Sequence, residues 1–167
     1  PEFLSFCYPV IIMYHITLMT VGKQKPGPYT ELTKAYQKRL QSFVKLEAIE
    51  IPETKFSSQK DRDRVLKIEA EKIQKAIPKN SLLITLDAEG KEFDSIAFAK
   101  QIDTWSEHGA MHLTFLIGGP LGLHDSLKTK TSFSLSKLTF PHDLARNMFL
   151  EQLYRAMTIL KGKTYHY

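Results

Sequence analysis

Two stretches of the chain carry residues whose types and spacing could do chemistry. Gly118-Gly119-Pro120-Leu121-Gly122 follows an apolar run ending at Ile117. Glycines let the backbone approach a ligand or take positive φ without a Cβ clash, so this is either a ligand-cradling loop or a plain tight turn. No Lys-Ser/Thr pair follows, which excludes a P-loop, and the glycines do not fit G-x-G-x-x-G. The second stretch, Leu135-Ser136-Lys137-Leu138-Thr139-Phe140-Pro141-His142, leaves an apolar segment and enters a Pro-His helix start. Pro141 forces Phe140 out of helical geometry and suits the first position of a helix. His142 then stands near a helix N-terminus, where the dipole disfavours imidazolium; it is either a base or hydrogen-bonding group, or a capping histidine. Arg146 is one turn further on, and Arg155 lies along the same helix. Guanidinium groups offer forked, permanently charged donors that suit phosphate and imide oxygens. The alternative is two plain surface arginines. Two adjacent strand ends carrying special loops are how α/β proteins build a ligand pocket.

The charge distribution points the same way. Of 167 residues, 23 are Lys or Arg and 18 are Asp or Glu, giving a formal net charge of +5. Residues 128–167 hold seven of the cations against Asp143 and Glu151, so the whole excess lies in the segment with the pocket loops. That combination suggests a small-molecule site beside a polyanion-binding surface. With 43% hydrophobic and 25% charged residues, the chain suits one globular domain with a real core. Cys7 is the only cysteine. No intrachain disulfide can form, so a reducing, cytoplasmic setting is expected, with Cys7 inert in a dispensable tail. His108 and His112 stand at H-x-x-x-H spacing, but Gly109 breaks any helix between them, and no metal site is expected. Phe3 to Val21 is nearly uncharged and about the length of a membrane span. It contains Pro9 and lacks a basic n-region and a small-residue cleavage pattern. Pro1-Glu2-Phe3 reads as a cloning scar, and Met13 as the native start. Residues 1–12 are therefore set apart as an extension, with one domain over 13–167 and no membrane anchor.

The positioning elements follow from periodicity. His15–Val21 reads as a strand, and Pro28 opens a helix with Leu32, Tyr36, Leu40 and Phe43 at helical spacing. Lys45–Ile51 is a second strand stopped by Pro52. Ser57 or Ser58 caps a helix through Val65, Ile68, Ile73 and Ile77. Leu82–Leu86 is a short buried strand followed by a turn at Ala88–Lys91. Asp94 or Ser95 caps a helix through Trp105, ending near Gly109. Met111–Ile117 and Phe133–Leu138 are the fourth and fifth strands. A last helix runs from about His142 to Leu160, with Gly162 after it. Strands alternating with helices imply an α/β domain with a parallel sheet covered on both faces.

Taken together, Leu83-Ile84-Thr85-Leu86-Asp87-Ala88-Glu89-Gly90-Lys91, Ile117 to Gly122, Leu135 to His142, Glu151-Gln152-Leu153-Tyr154-Arg155-Ala156 and Tyr165-His166 resemble a SPOUT-class methyltransferase. They resemble in particular the bacterial large-subunit (23S) rRNA pseudouridine N3-methyltransferase H family. The similarity runs from Met13 to Tyr167, with Ile16 to Lys23 matching the family's opening strand. It departs at residues 1–12 and at the Tyr167 ending. The resemblance implies a C-terminal trefoil knot and S-adenosyl-L-methionine as cofactor. It also implies a homodimer that methylates N3 of a pseudouridine in rRNA of the assembled ribosome. By the same match, Leu86, Gly118, Gly119 and the run Leu135, Ser136, Lys137, Leu138, Thr139 and Phe140 hold the cofactor. Arg146 or Arg155 would stabilise the developing imide anion, and His142 or His166 would accept the proton. The rival readings are a SPOUT enzyme acting on tRNA or another RNA, and a nonenzymatic RNA-binding module. A nucleotide-dependent oxidoreductase would need a dinucleotide fingerprint, and the sequence has none.

Overall fold

In Tyr14–Val21 every residue but His15 is buried, as a strand must be when both its neighbours and both its faces are covered. A computed structural model describes residues 13–56, 58–107, 112–129 and 131–165. The expectations placed on residues 1–12, Cys7, Ser57, His108 and His166 lie outside them. The described chain runs β1 (Tyr14–Val21), α1 (Pro28–Leu40), β2 (Val44–Ile51), α2 (Arg62–Ala76), β3 (Leu82–Glu92), α3 (Ser95–Glu107), β4 (His112–Ile117), β5 (Ser132–Ser134) and α4 (His142–Leu160). The strands form one sheet in the order β2-β1-β4-β3-β5, with every pairing parallel.

Both faces are covered, but unequally. Ile16 and Leu18 point with Leu113, Phe115 and Ile117 into the larger core, made with residues of α1, α3 and α4. There Phe115 meets Phe149 at a ring separation of 4.7 Å, and Phe98 stacks on Phe133 at 4.9 Å. Met19, Val21 and Leu116 face the other way, onto Ala70 and Ile73 of α2. Helix α4 is tied to α1 by Asn147, which accepts the Thr33 hydroxyl at 3.1 Å and donates to the Tyr29 carbonyl at 3.2 Å. It is tied to α3 by a Ser95–Gln152 hydrogen bond of 3.1 Å. No helix among the described residues is long and apolar enough to cross a membrane.

Four sequence expectations are corrected. The turn expected at Ala88–Lys91 is absent: β3 continues to Glu92, shifting register against β5 between Leu86 and Lys91. Asp87, Glu89 and Gly90 look like turn residues, yet Gly90 is there because the Phe133 backbone comes close. A Cβ on Gly90 would lie 2.6 Å from the Phe133 carbonyl carbon. The strand expected over Phe133–Leu138 stops at Ser134. The Ser134 hydroxyl donates to the Ser136 carbonyl at 2.8 Å, and Ser136 Oγ accepts the Leu138 amide at 3.1 Å. Such local bonds compete with a strand ladder, so residues 135–140 form a loop. The N-cap of α2 is Asp61, after a short 3-10 turn, rather than a serine. Pro141 is the N-cap of α4, one position before its expected place, and its carbonyl accepts the Ala145 amide at 2.9 Å. Asp94 does cap α3, accepting the Ala97 amide at 2.7 Å.

Candidate active site

At the C-terminal end of the parallel sheet, where such folds place ligands, lies a cavity of about 520 Å³. Strands β3 and β4 supply its floor through Leu86, Asp87, Ala88 and Ile117. One wall is the glycine turn. Gly122 N–H donates to the Gly119 carbonyl at 2.9 Å and Gly122 takes φ +84°, so the stretch is a tight turn and a cavity wall at once. Gly119 lines the cavity with one side and packs on β1 with the other, where a Cβ would sit 3.1 Å from Val21 Cγ1. The opposite wall is the loop after β5, through Leu135, Ser136, Leu138, Thr139 and Phe140. Pro141, His142 and Ala145 close the mouth.

Of the nine residues expected to hold the cofactor, eight therefore line one cavity. Lys137 does not. Its Nζ donates to the Ala88 carbonyl at 3.1 Å and ties the loop to the end of β3. Sequence reasoning missed Asp87, Ala88, Pro120, Gly122, Pro141 and Ala145, although most of them sit inside or beside the quoted motifs.

Of the four residues expected to do chemistry, three are described, each in a different setting. His142 opens α4 at the cavity mouth, with its Nε2 3.6 Å from Asp143 Oδ1. Arg146 is only 6% exposed and does not line the cavity. Its Nη1 donates to Glu50 Oε1 at 2.9 Å and reaches Gln24 Oε1 at 3.5 Å, while Nη2 donates to Thr20 Oγ1 at 2.5 Å. Burial pushes the Glu50 carboxyl up, but the Arg146 hydrogen bond, the Gln24 amide and the charges of Arg146 and Lys23 outweigh it and hold the group below its ordinary value. Arg146 thus locks the first turns of α4 to the ends of β1 and β2. Arg155 is thirteen positions beyond His142, about 20 Å along the helix axis. It donates to Glu151 Oε1 at 2.6 Å and lies 4.8 Å from the Tyr165 ring centroid. His166 falls outside the described residues.

Among the described residues, the positive charge after residue 127 does not form one bare patch. Lys128 pairs with Asp125, Lys137 with a backbone carbonyl, Arg146 with Glu50 and Arg155 with Glu151, and Lys163 covers the Phe43 ring. Around Arg155 these groups build an aromatic cluster in which Tyr154 and Tyr165 rings meet at 4.8 Å. Burial, with help from Tyr36 and Glu151, pushes the Tyr165 hydroxyl up to about 12.

A cavity at the sheet's C-terminal edge, walled by a glycine turn and a loop running into the last helix, defines a class of enzyme. The family model described as "Predicted SPOUT methyltransferase" matches residues 14–166, and the chain belongs to that family. It is a methyltransferase. Its nearer kin carry a more particular name. Ribosomal RNA large subunit methyltransferase H of Clostridium acetobutylicum is 41% identical over 157 residues, covering 91% of this chain and 99% of that protein. The proteins of the same name from Streptococcus suis and Streptococcus pneumoniae are 39% and 40% identical over 156 residues, each covering 90% of this chain and 98% of the relative.

Proposed function

We propose that this methyltransferase transfers the methyl group of S-adenosylmethionine to N3 of a pseudouridine in large-subunit rRNA of the assembled ribosome. In this reading it acts in the cytoplasm as a homodimer, with the C-terminal segment threaded as a trefoil knot. The observation that carries the reading is the single cavity formed by the glycine turn, the 135–140 loop and His142. The names of the relatives support the rRNA target.

The cavity suits the cofactor. Its volume falls in the range of about 300–1,000 Å³ typical of small-molecule sites. Its walls combine apolar side chains with backbone groups that the glycines leave accessible. Leu86, Gly118, Gly119 and the loop from Leu135 to Phe140 would hold it. When bound, it supplies a methyl group already activated by a positive sulfonium. The protein then has to orient the acceptor base and remove its imide proton. His142 stands at the mouth, where a base would enter, and serves as proton acceptor directly or through water; His166 is its competitor for that role. Arg146 acts by fixing the helix that carries His142, because its guanidinium is already engaged by Glu50 and Thr20. Arg155, about 20 Å along α4 from His142, reaches an active site only across a dimer. There, with Lys161 and Lys163, it would contact phosphates.

The deciding experiment uses ribosomes that lack the modification, with and without prior pseudouridylation, and maps the methylated product by mass. Methyl transfer only to pseudouridylated large-subunit rRNA is the expected result. Transfer to tRNA but not to ribosomes, or calorimetry without S-adenosylmethionine binding, would overturn the reading. If His142→Ala and His166→Ala both keep the wild-type single-turnover rate, the base assignment is wrong.

A further inference from the structure

Behind the glycine turn, on the side away from the cavity, sits a carboxyl group that nothing above has used. Glu69 of α2 is 4% exposed. Its Oε1 accepts the Thr54 amide at 2.8 Å, and its Oε2 lies 3.9 Å from the position a Gly119 Cβ would take. Since Gly119 also lines the cavity, the carboxylate and the cavity are separated by the thickness of one glycine. The same helix grips the turn further out, where Arg62 Nη2 donates to the Leu121 carbonyl at 3.3 Å. A glutamine could also accept the Thr54 amide, without the desolvation penalty of a buried charge. The charge itself therefore needs a reason.

We propose that Glu69 is a specificity-determining residue: through Gly119, its negative charge favours the cationic sulfonium donor over the neutral thioether left after transfer. This inference rests on the reading of the cavity as the S-adenosylmethionine site. The donor and its product, S-adenosylhomocysteine, differ by one methyl group and one positive charge. A fixed anion in a poorly solvated wall distinguishes them and helps the product leave. At a separation on the order of 10 Å and an effective dielectric of roughly 20–40, the preference is about four- to fifteenfold.

Other charges surround the group and enter any pH test. Burial pushes the Glu69 carboxyl up and Glu53 adds to the push, while the Thr54 amide and Lys72 oppose it. Lys72 Nζ is held by the Pro52 carbonyl at 3.0 Å and Thr54 Oγ1 at 2.9 Å, and Arg62 faces the outer side of the turn. The glycine turn brings no titratable side chain. On the cavity side stand Asp87 and His142.

Calorimetry of the full chain with S-adenosylmethionine and with S-adenosylhomocysteine tests the proposal through the ratio of the two dissociation constants. Both ligands carry the same amino acid, so its own titration cancels in the ratio. Glu69→Gln is expected to weaken the donor about four- to fifteenfold and to leave the product within about twofold. Glu69→Asp, which retains the charge, is expected to keep most of the preference. In the wild type the preference falls on acidification, as the carboxyl takes up a proton, and in Glu69→Gln that fall is lost. Equal weakening of both ligands by Glu69→Gln would make Glu69 a structural brace and overturn the proposal, as would an unchanged ratio. Should Glu69→Gln fail to fold, a wild-type ratio that stays flat on acidification overturns it, as does a fall that vanishes in Asp87→Asn, whereas a fall that persists in Asp87→Asn supports it. Wild-type protein that binds neither ligand overturns the donor-site reading and this inference together; a wild type that binds both, with an unmoved variant ratio, overturns this inference alone.

Discussion

The start and the end of α4 carry similar residues in opposite arrangements. At the start, Arg146 is sunk between β1 and β2 and bonded to Thr20 and Glu50, and His142 stands at the cavity mouth beside Asp143. At the end, Arg155 pairs with Glu151 on its own helix and lies against Tyr165, with Lys163 over Phe43 nearby. One arginine joins distant strands; the other joins neighbours on a half-exposed surface. The two arginines of α4 thus make one structural clamp and one surface cluster, separated by about 14 Å along the helix axis.

The contrast can be broken by mutation. Arg146→Ala leaves Glu50 without its partner in a part-buried setting and should cost about 3 kcal/mol or more in chemical unfolding. Arg146→Lys should recover only part, since the fork to Thr20 and Glu50 is lost. A cost below about 1 kcal/mol would mean the two ends do not differ. Next in size, His142→Ala should lower the single-turnover rate about a hundredfold while the melting temperature stays near wild type. A lowered melting temperature at full rate would make His142 a capping residue. At the far end, Arg155→Ala should cost less than about 1 kcal/mol in stability, because it breaks only an i,i+4 pair and one ring contact. Its effect should appear instead in rRNA binding, as a salt slope smaller by about one. The smallest effect is spectroscopic. Tyr165, held up to about 12, should ionise about two pH units above an ordinary tyrosine, and Tyr165→Phe should remove that step from an ultraviolet titration. The native state keeps this proton longer than the unfolded chain. Its stabilising contribution is therefore complete below pH about 10 and is lost as pH rises through about 12.

Much of this architecture was legible because it is local. The apolar runs of β1 and β4, the helical spacing in α1 and α4, Asp94 at its cap and Pro141 at a helix entrance all act within a few residues. The glycine turn was legible for the same reason, as was the Leu135–Phe140 motif, though not that it leaves the strand at Ser134. What escaped depends on contacts distant in sequence. Gly90 reads as a turn until the Phe133 backbone is seen against it. Arg146 reads as a surface arginine until Thr20 and Glu50 are seen to enclose it. Glu69 lies in a polar, helical run whose spacing gives no hint that this one carboxylate is buried behind Gly119. The β5 strand was overextended because Ser134 and Ser136 bond to nearby backbone groups rather than to a ladder.

The clamp formed by Arg146 also bears on how the chain is made. Thr20 and Glu50 meet their partner 126 and 96 residues later. At synthesis rates of about 5–20 residues per second, β1 waits roughly 6–25 seconds for the arginine that encloses it. During that interval the apolar face that α4 will cover is open to water. A nascent chain arrested before residue 146 should accordingly be held by chaperones and cut readily by protease, and both sensitivities should vanish once α4 has emerged.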